Sequence, residues 1–130
     1  MIDVATLTGA AVVALGERAT AIFTRDDELA NRTLEASEVT GDFAWRLPLW
    51  EEYEVEIKGD VGEISNIKTK GGAGYGGSIT AATFLQHFAK EHQSWMHMDI
   101  APTMTSVFDE KLAKGAKGSP VRLLVKLLEK

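Results

Sequence analysis

Ile2-Asp3-Val4-Ala5-Thr6-Leu7-Thr8-Gly9-Ala10 is the stretch on which the fold turns. Residues 2–8 are largely β-branched and apolar, the composition of a strand. Thr8-Gly9-Ala10-Ala11 then runs into a segment that reads as helix. A strand ending in a Thr-Leu-Thr-Gly turn presents backbone N–H and C=O groups at the edge of a sheet, where α/β proteins bind ligands. Gly9 lacks a Cβ, so a ligand or a second backbone can come close. The plain alternative is an N-terminal strand with a glycine turn. Met1 stands directly against the strand with no polar lead-in, and the expectation is the downstream part of something longer.

Outward from that stretch, Ala10 to Gly16 reads as a short apolar helix stopped by its glycine. Arg18 to Thr24 alternates around Ala19, Ala21 and Phe23 and reads as a second strand. Asp26-Asp27-Glu28 opens a helix with acids in its first turn, and Leu29, Thr33, Ala36 and Val39 fall on one face up to Gly41. Phe43 to Trp50 is an extended segment packing two tryptophans on the core or on a partner, since Pro48 rules out a central strand. Glu51 to Lys58 reads as a charged helix, and Ile64 to Ile67 as a short extended piece. Lys70 to Gly77 is glycine-rich, and Ser78 is expected to cap a helix through Lys90 with Ile79, Ala82, Phe84, Leu85 and Phe88 facing inward. Trp95 to Ala101 is a strand with Trp95, His97 and Asp99 on one face and Met96, Met98 and Ile100 on the other. Phe108 to Gly118 reads as polar loop with one helical turn, and Pro120 starts an amphipathic helix over 121–128. Alternating strands and helices give an α/β class: a mixed, largely parallel sheet with helices on both faces.

The 130 residues suit one domain with a real core. A net charge of −5 argues against a general nucleic-acid binder and against anionic membrane surfaces. No cysteine means no disulfide, no thiolate zinc site and no cysteine nucleophile, which suits a cytoplasmic location. The apolar run 10–15 is too short to span a bilayer, and Asp3 with no basic lead argues against a signal peptide.

Several constellations invite a chemical reading. Gly71-x4-Gly76-Gly77-Ser78 has the outline of a phosphate loop, but Gly77 stands where the lysine belongs, so a glycine loop feeding a capped helix is favoured. His97 and Asp99 share a strand face as two metal ligands would, yet two do not close a site. A hydrogen-bonded structural pair is the simpler reading, and Asp99 equally suits a backbone N–H near the strand end. Ser78, His97 and Asp99 form a triad in name only, with no nucleophile elbow. Taken alone, these residues complete no active site.

At residues 3–10 the chain resembles the leucyl aminopeptidase (cytosol aminopeptidase) family. The likeness continues in the family's order through Val12-Val13-Ala14-Leu15-Gly16, Trp45-Arg46-Leu47-Pro48-Leu49-Trp50-Glu51-Glu52-Tyr53, Asn66-Ile67, Gly76-Gly77-Ser78 and on to Leu85, Trp95, His97-Met98-Asp99-Ile100-Ala101, residues 114–118 and Val121-Arg122-Leu123-Leu124. The resemblance implies the C-terminal portion of an aminopeptidase catalytic domain over residues 1–130. It implies a two-metal exopeptidase that removes N-terminal residues from peptides, with zinc or manganese polarising the carbonyl and activating water. The family's lysine, aspartate and glutamate ligands precede the segment matched here, so this chain is expected to carry no catalytic or metal residue and to be inactive alone. By the same resemblance, backbone groups of Thr6, Leu7 and Gly9 bind the substrate's main chain, with the Leu7 N–H also near a bicarbonate. Ile67 and Ala101 line the pocket for the first side chain. The family assembles as hexamers, which implies a homo-oligomer with peptide substrates and neither nucleic acid nor membrane as partner. Pro102 departs from the family's usual glycine, and Lys117-Gly118-Ser119-Pro120 from its commoner form. The rival expectation is a non-catalytic truncated homologue serving as an oligomerisation or docking module.

Overall fold

The computed structural model of the protein describes residues 1–72, 74–107, 109 and 114–129. Its strands are β1 (Ile2–Ala5), β2 (Thr20–Phe23), β3 (Ala44–Arg46) and β4 (Met96–Asp99), and they form one sheet in the order β1-β4-β2-β3. β1 runs parallel to β4, with Asp3 opposite His97 and Ala5 opposite Asp99. β4 runs antiparallel to β2, and β2 parallel to β3. The sheet is therefore mixed and mostly parallel, as expected.

Every residue of β2 and β4 is buried, because helices cover both faces of these central strands. The helices are α1 (Gly9–Leu15), α2 (Asp27–Thr40), α3 (Gly77–Phe88) and α4 (Val121–Leu128). On one face Ala11 of α1 and Ala82 of α3 pack with Ala21, Phe23, Leu49 and Trp95. On the other, Ile22, Met96 and Met98 meet Ala36 of α2 and Leu123 and Leu127 of α4. The strand alternation read from the sequence thus sorts the two cores.

The helix ends follow local chemistry. Gly16 (φ 67°) and Gly41 (φ 70°) take left-handed backbone and donate to Val12 O and Ser37 O, closing α1 and α2. Asp26 accepts from the Leu29 N–H at 2.9 Å and from the Ser94 hydroxyl at 2.6 Å. These bonds, the Leu29 amide first, hold its carboxyl below the usual carboxylate range. A lowered folded value means the contribution is complete above the ordinary value of 3.8 and is lost as pH falls through the depressed one. The stability difference between the parent and Asp26→Asn is therefore expected to be flat above about pH 5 and to shrink in acid, followed by urea unfolding across that range. α4 starts at Pro120 with no side-chain cap of its own. Asp42, buried at the α2–β3 junction, supplies one by accepting from the Arg122 and Leu123 amides at 3.0 and 3.3 Å. It also holds the Arg122 guanidinium at 2.6 Å, which raises the proton affinity of that group.

Several local expectations are corrected. Ser78 lies buried inside α3, and Gly76 (φ 60°) stands at the cap with no side-chain bond. Of the expected inner face of α3, Ala82 is buried and Ile79 and Leu85 pack on the core as expected, but Phe88 is exposed and Ser78, Thr80 and Thr83 are buried instead. In α2 the buried face includes Ala30 and Ser37, not Val39. Trp45 and Trp50 are 61% and 62% exposed, so of the three tryptophans only Trp95 enters the core. Residues 51–57 form a 3-10 helix, and the expected strand at 64–67 is reduced to one bridge between Lys58 and Ile64. Residues 108 and 110–113 of the expected polar loop lie outside the described residues.

Candidate functional site: a main-chain ledge over a buried carboxylate

β1 ends at Ala5 and α1 begins at Gly9, so Thr6, Leu7 and Thr8 make the turn between them. Thr6, Leu7 and Gly9 are exposed, and space is open around the Gly9 Cα within 4 Å of where a Cβ would stand. Thr8 caps α1 by accepting from the Ala11 N–H at 3.1 Å. α3 meets α1 closely here: a Cβ on Gly77 would lie 3.1 Å from the Ala10 Cβ, so the glycine lets the two helix starts approach beside the turn.

Beneath the turn lies Asp99, fully buried at the end of β4. Its Oδ1 accepts from the Leu7 N–H at 3.0 Å and the Ala101 N–H at 3.1 Å. Its Oδ2 accepts from the Thr8 N–H at 3.0 Å and the Thr8 hydroxyl at 2.6 Å. Such charge-assisted bonds are what a carboxylate needs when it leaves water without a cationic partner. Both peptide units are trans, since the single cis bond among the described residues is Ser119–Pro120. In a trans unit N–H and C=O point opposite ways. With the Leu7 and Thr8 amides turned down to Asp99, the carbonyls of Thr6 and Leu7 turn up, away from it. The turn is a ledge of acceptors.

The structure therefore holds Leu7, Thr8 and Ala101 on one carboxylate, with Thr6 and Gly9 flanking them in the same turn. The Leu7 N–H, which the family resemblance assigned to a bicarbonate, is directed at Asp99 instead. Ala101 is buried at the start of a short 3-10 turn, Ala101–Thr103, into which Pro102 fits as an early residue. Ile67 is 70% exposed and lines a different recess, with residues 59–62, Ile64, Ser65, Asn66, Thr69 and Phe84. That recess does not include the ledge or Ala101.

His97 and Asp99 share a strand face but do not pair. His97 Nδ1 meets Asp3 Oδ1 at 2.5 Å, and the ring stacks on Phe23 with centroids 5.8 Å apart. Asp3 Oδ2 accepts from the Trp95 indole N–H at 2.7 Å. One carboxylate thus clamps β1 to β4 through two side chains. Sequence reasoning missed this partner; its signal is an acidic residue in the middle of an otherwise apolar strand. Ser78 belongs to neither carboxylate's bonding, so no triad forms. Nor does the donor set fit the two divalent ions that the resemblance implies. Among the described residues no three His, Asp or Glu side chains converge, and both Asp99 oxygens are already taken by N–H and O–H donors.

Comparison with known proteins bears on this geometry. A family model described as "Cytosol aminopeptidase family, catalytic domain" matches residues 1–125. A probable cytosol aminopeptidase of Chlorobium limicola is 48% identical over 130 residues, covering 100% of this chain and 25% of that protein. One of Burkholderia mallei is 48% identical over 128 residues, covering 98% and 24%. The chain thus spans about a quarter of the length of the curated relatives it matches. A substituted form of tomato leucine aminopeptidase has a similar structure, with a TM-score of 0.84 and 42% identity over 97% of this chain and 23% of that one.

Proposed function

Because this chain belongs to the cytosol aminopeptidase family, within its catalytic domain, we propose that it forms the substrate-binding portion of a peptide-cleaving aminopeptidase. The observation that carries this reading is the open ledge: two outward carbonyls on an exposed turn, held rigidly from below. Peptide main chain offers N–H groups, and paired carbonyl acceptors at a strand end suit them. Gly9 leaves room for the ligand's own backbone beside the first turn of α1.

In this reading Ala101, fixed to the same carboxylate as the ledge, lines the pocket for the first side chain, while Ile67 stands in its separate recess and is not counted in that pocket. An apolar pocket of that kind separates substrates by about 1–3 kcal/mol per methylene, so preference among large apolar residues is modest. Bond cleavage falls to groups outside the described residues, which hold the zinc or manganese ions in the intact enzyme. The relatives' name, cytosol aminopeptidase, supports a cytoplasmic location, and the exposed Trp45 and Trp50 are the feature that assembly into a homo-oligomer would cover. Among the described residues no helix is long and apolar enough to cross a membrane.

The test is a chimera in which this chain replaces the matching quarter of the Chlorobium limicola relative. With manganese supplied, the chimera is expected to release the chromophore from a leucine anilide, and the 130-residue chain alone is expected to show none. A folded, metal-loaded chimera with no hydrolysis would overturn the reading. So would manganese-dependent cleavage by the chain alone.

A second reading, a non-catalytic docking module, draws on one feature. Trp45 stands exposed on the edge strand β3, and Trp50 stacks on Tyr53 just beyond it, with centroids 6.1 Å apart. Light scattering together with a pull-down against a full-length relative separates the two readings, since a monomer that captures nothing counts against docking.

A further inference from the structure

We propose that Asp99 is a positioning residue for substrate binding: the buried carboxylate decides which main-chain atoms the 6–9 turn shows to a ligand. The inference rests on the reading that this turn grips a peptide, and goes beyond it by assigning the origin of the grip.

A carboxylate accepts hydrogen bonds and does not donate them. Asp99 is 0% exposed and faces the Leu7, Thr8 and Ala101 amides and the Thr8 hydroxyl, at 2.6–3.1 Å. If either ledge peptide inverted, a carbonyl oxygen would face the carboxylate across the same short distance, with no water to screen it. The carboxylate thus locks both peptide planes in one sense, and the outward atoms of both are oxygens. The Thr8 hydroxyl is no independent support, since it is itself held by Asp99 and by its capping bond to the Ala11 amide. Because Ala101 hangs from the same Oδ1 as Leu7, the pocket wall and the ledge are set by one atom. The side chain never meets the ligand. It acts by turning the backbone.

Asparagine at this position has nearly the same shape but offers one acceptor and one NH2 donor. Whichever way the amide sits, its NH2 confronts amides that also donate, and one ledge peptide is relieved by inverting. A carbonyl acceptor is then exchanged for an N–H. The consequence reads out in which ligand atoms matter, which mere loosening of the fold would not produce.

The experiment uses the active chimera and a leucyl tripeptide, with counterparts N-methylated at each main-chain nitrogen in turn. The parent is expected to lose about tenfold in kcat/KM for at least one N-methyl substrate, the worth of one hydrogen bond to a preformed acceptor. Asp99→Asn is expected to raise KM for the unmodified tripeptide about tenfold with kcat nearly unchanged, and to erase the discrimination against that N-methyl substrate. In the 130-residue chain, amide exchange at Leu7 and Thr8 is expected to quicken in the same variant. If Asp99→Asn does not fold, Asp99→Glu carries the same test, since its longer arm displaces the carboxylate from both amides. A folded variant that discriminates as the parent does, or that slows all substrates equally, overturns the proposal, as does a parent indifferent to N-methylation. A parent chimera with no activity at all counts instead against the preceding functional reading.

Discussion

Alanine in place of Asp99 is expected to lower the free energy of unfolding by about 3 kcal/mol, seen as a lower urea midpoint with an unchanged slope. The magnitude follows from what is left behind. Three main-chain amides, those of Leu7, Thr8 and Ala101, lose their acceptor at once. A buried donor without a partner costs about 1–3 kcal/mol. Ala101 is buried and loses the full amount, while the Leu7 and Thr8 bonds are only part-buried, so water entering the vacated space recovers part of their loss. The removed charge no longer has to be desolvated, which offsets some of the rest. An unchanged urea midpoint would mean that the four short contacts contribute nothing net, and the ledge would then need another support.

Phe23→Ala is expected to be at least as damaging, at about 3–5 kcal/mol by the same urea titration. Phe23 is fully buried in the middle of the sheet, among Ala11, Ala21, Ala82 and Trp95. Its buried helix-side neighbours, Ala11 and Ala82, are too small to fill the space it leaves, and the larger Leu15, Ile79 and Leu85 pack on the cluster from its partly exposed margin. The ring also stacks on His97, whose Nδ1 is committed to Asp3 and whose Nε2 is buried without a hydrogen-bond partner. Truncation removes the contact that covers the imidazole as well as the transfer energy of the ring. A loss below about 1 kcal/mol would show that α1 and α3 close over the gap, contrary to the close packing of helix on sheet described above.

Much of the architecture was legible because its causes are local. Gly16 and Gly41 end helices by their own backbone freedom, Asp26 caps α2 three residues ahead of its partner, and the two-residue alternation in 95–100 sorts Trp95 and His97 from Met96 and Met98. What escaped depends on distant chain. Ser78 reads as a cap by residue type, yet the cap lies two residues earlier at Gly76, and Gly77 in the first turn fits closely against Ala10 of another helix. Phe88 and Val39 suit a helical stripe, but among the described residues both stand exposed. The aromatics of 43–50 look like core material, yet Phe43, Trp45 on the short edge strand and Trp50 beyond it are all exposed. At the site, the ledge and the alternative role of Asp99 as a backbone anchor were both readable from residue type. That the amides point down and the carbonyls up was not, since it depends on a residue more than ninety positions away.

That separation has a kinetic consequence. β1 has one partner in the sheet, β4, and the clamp of Asp3 on Trp95 and His97 spans the same distance along the chain. Contacts so remote in sequence gain nothing until the loop between them has closed, so they form after the local helices and the neighbouring β2–β3 pair. Residues 2–8 are thus expected to be among the last to find their place, and the arrangement of the 6–9 turn with them.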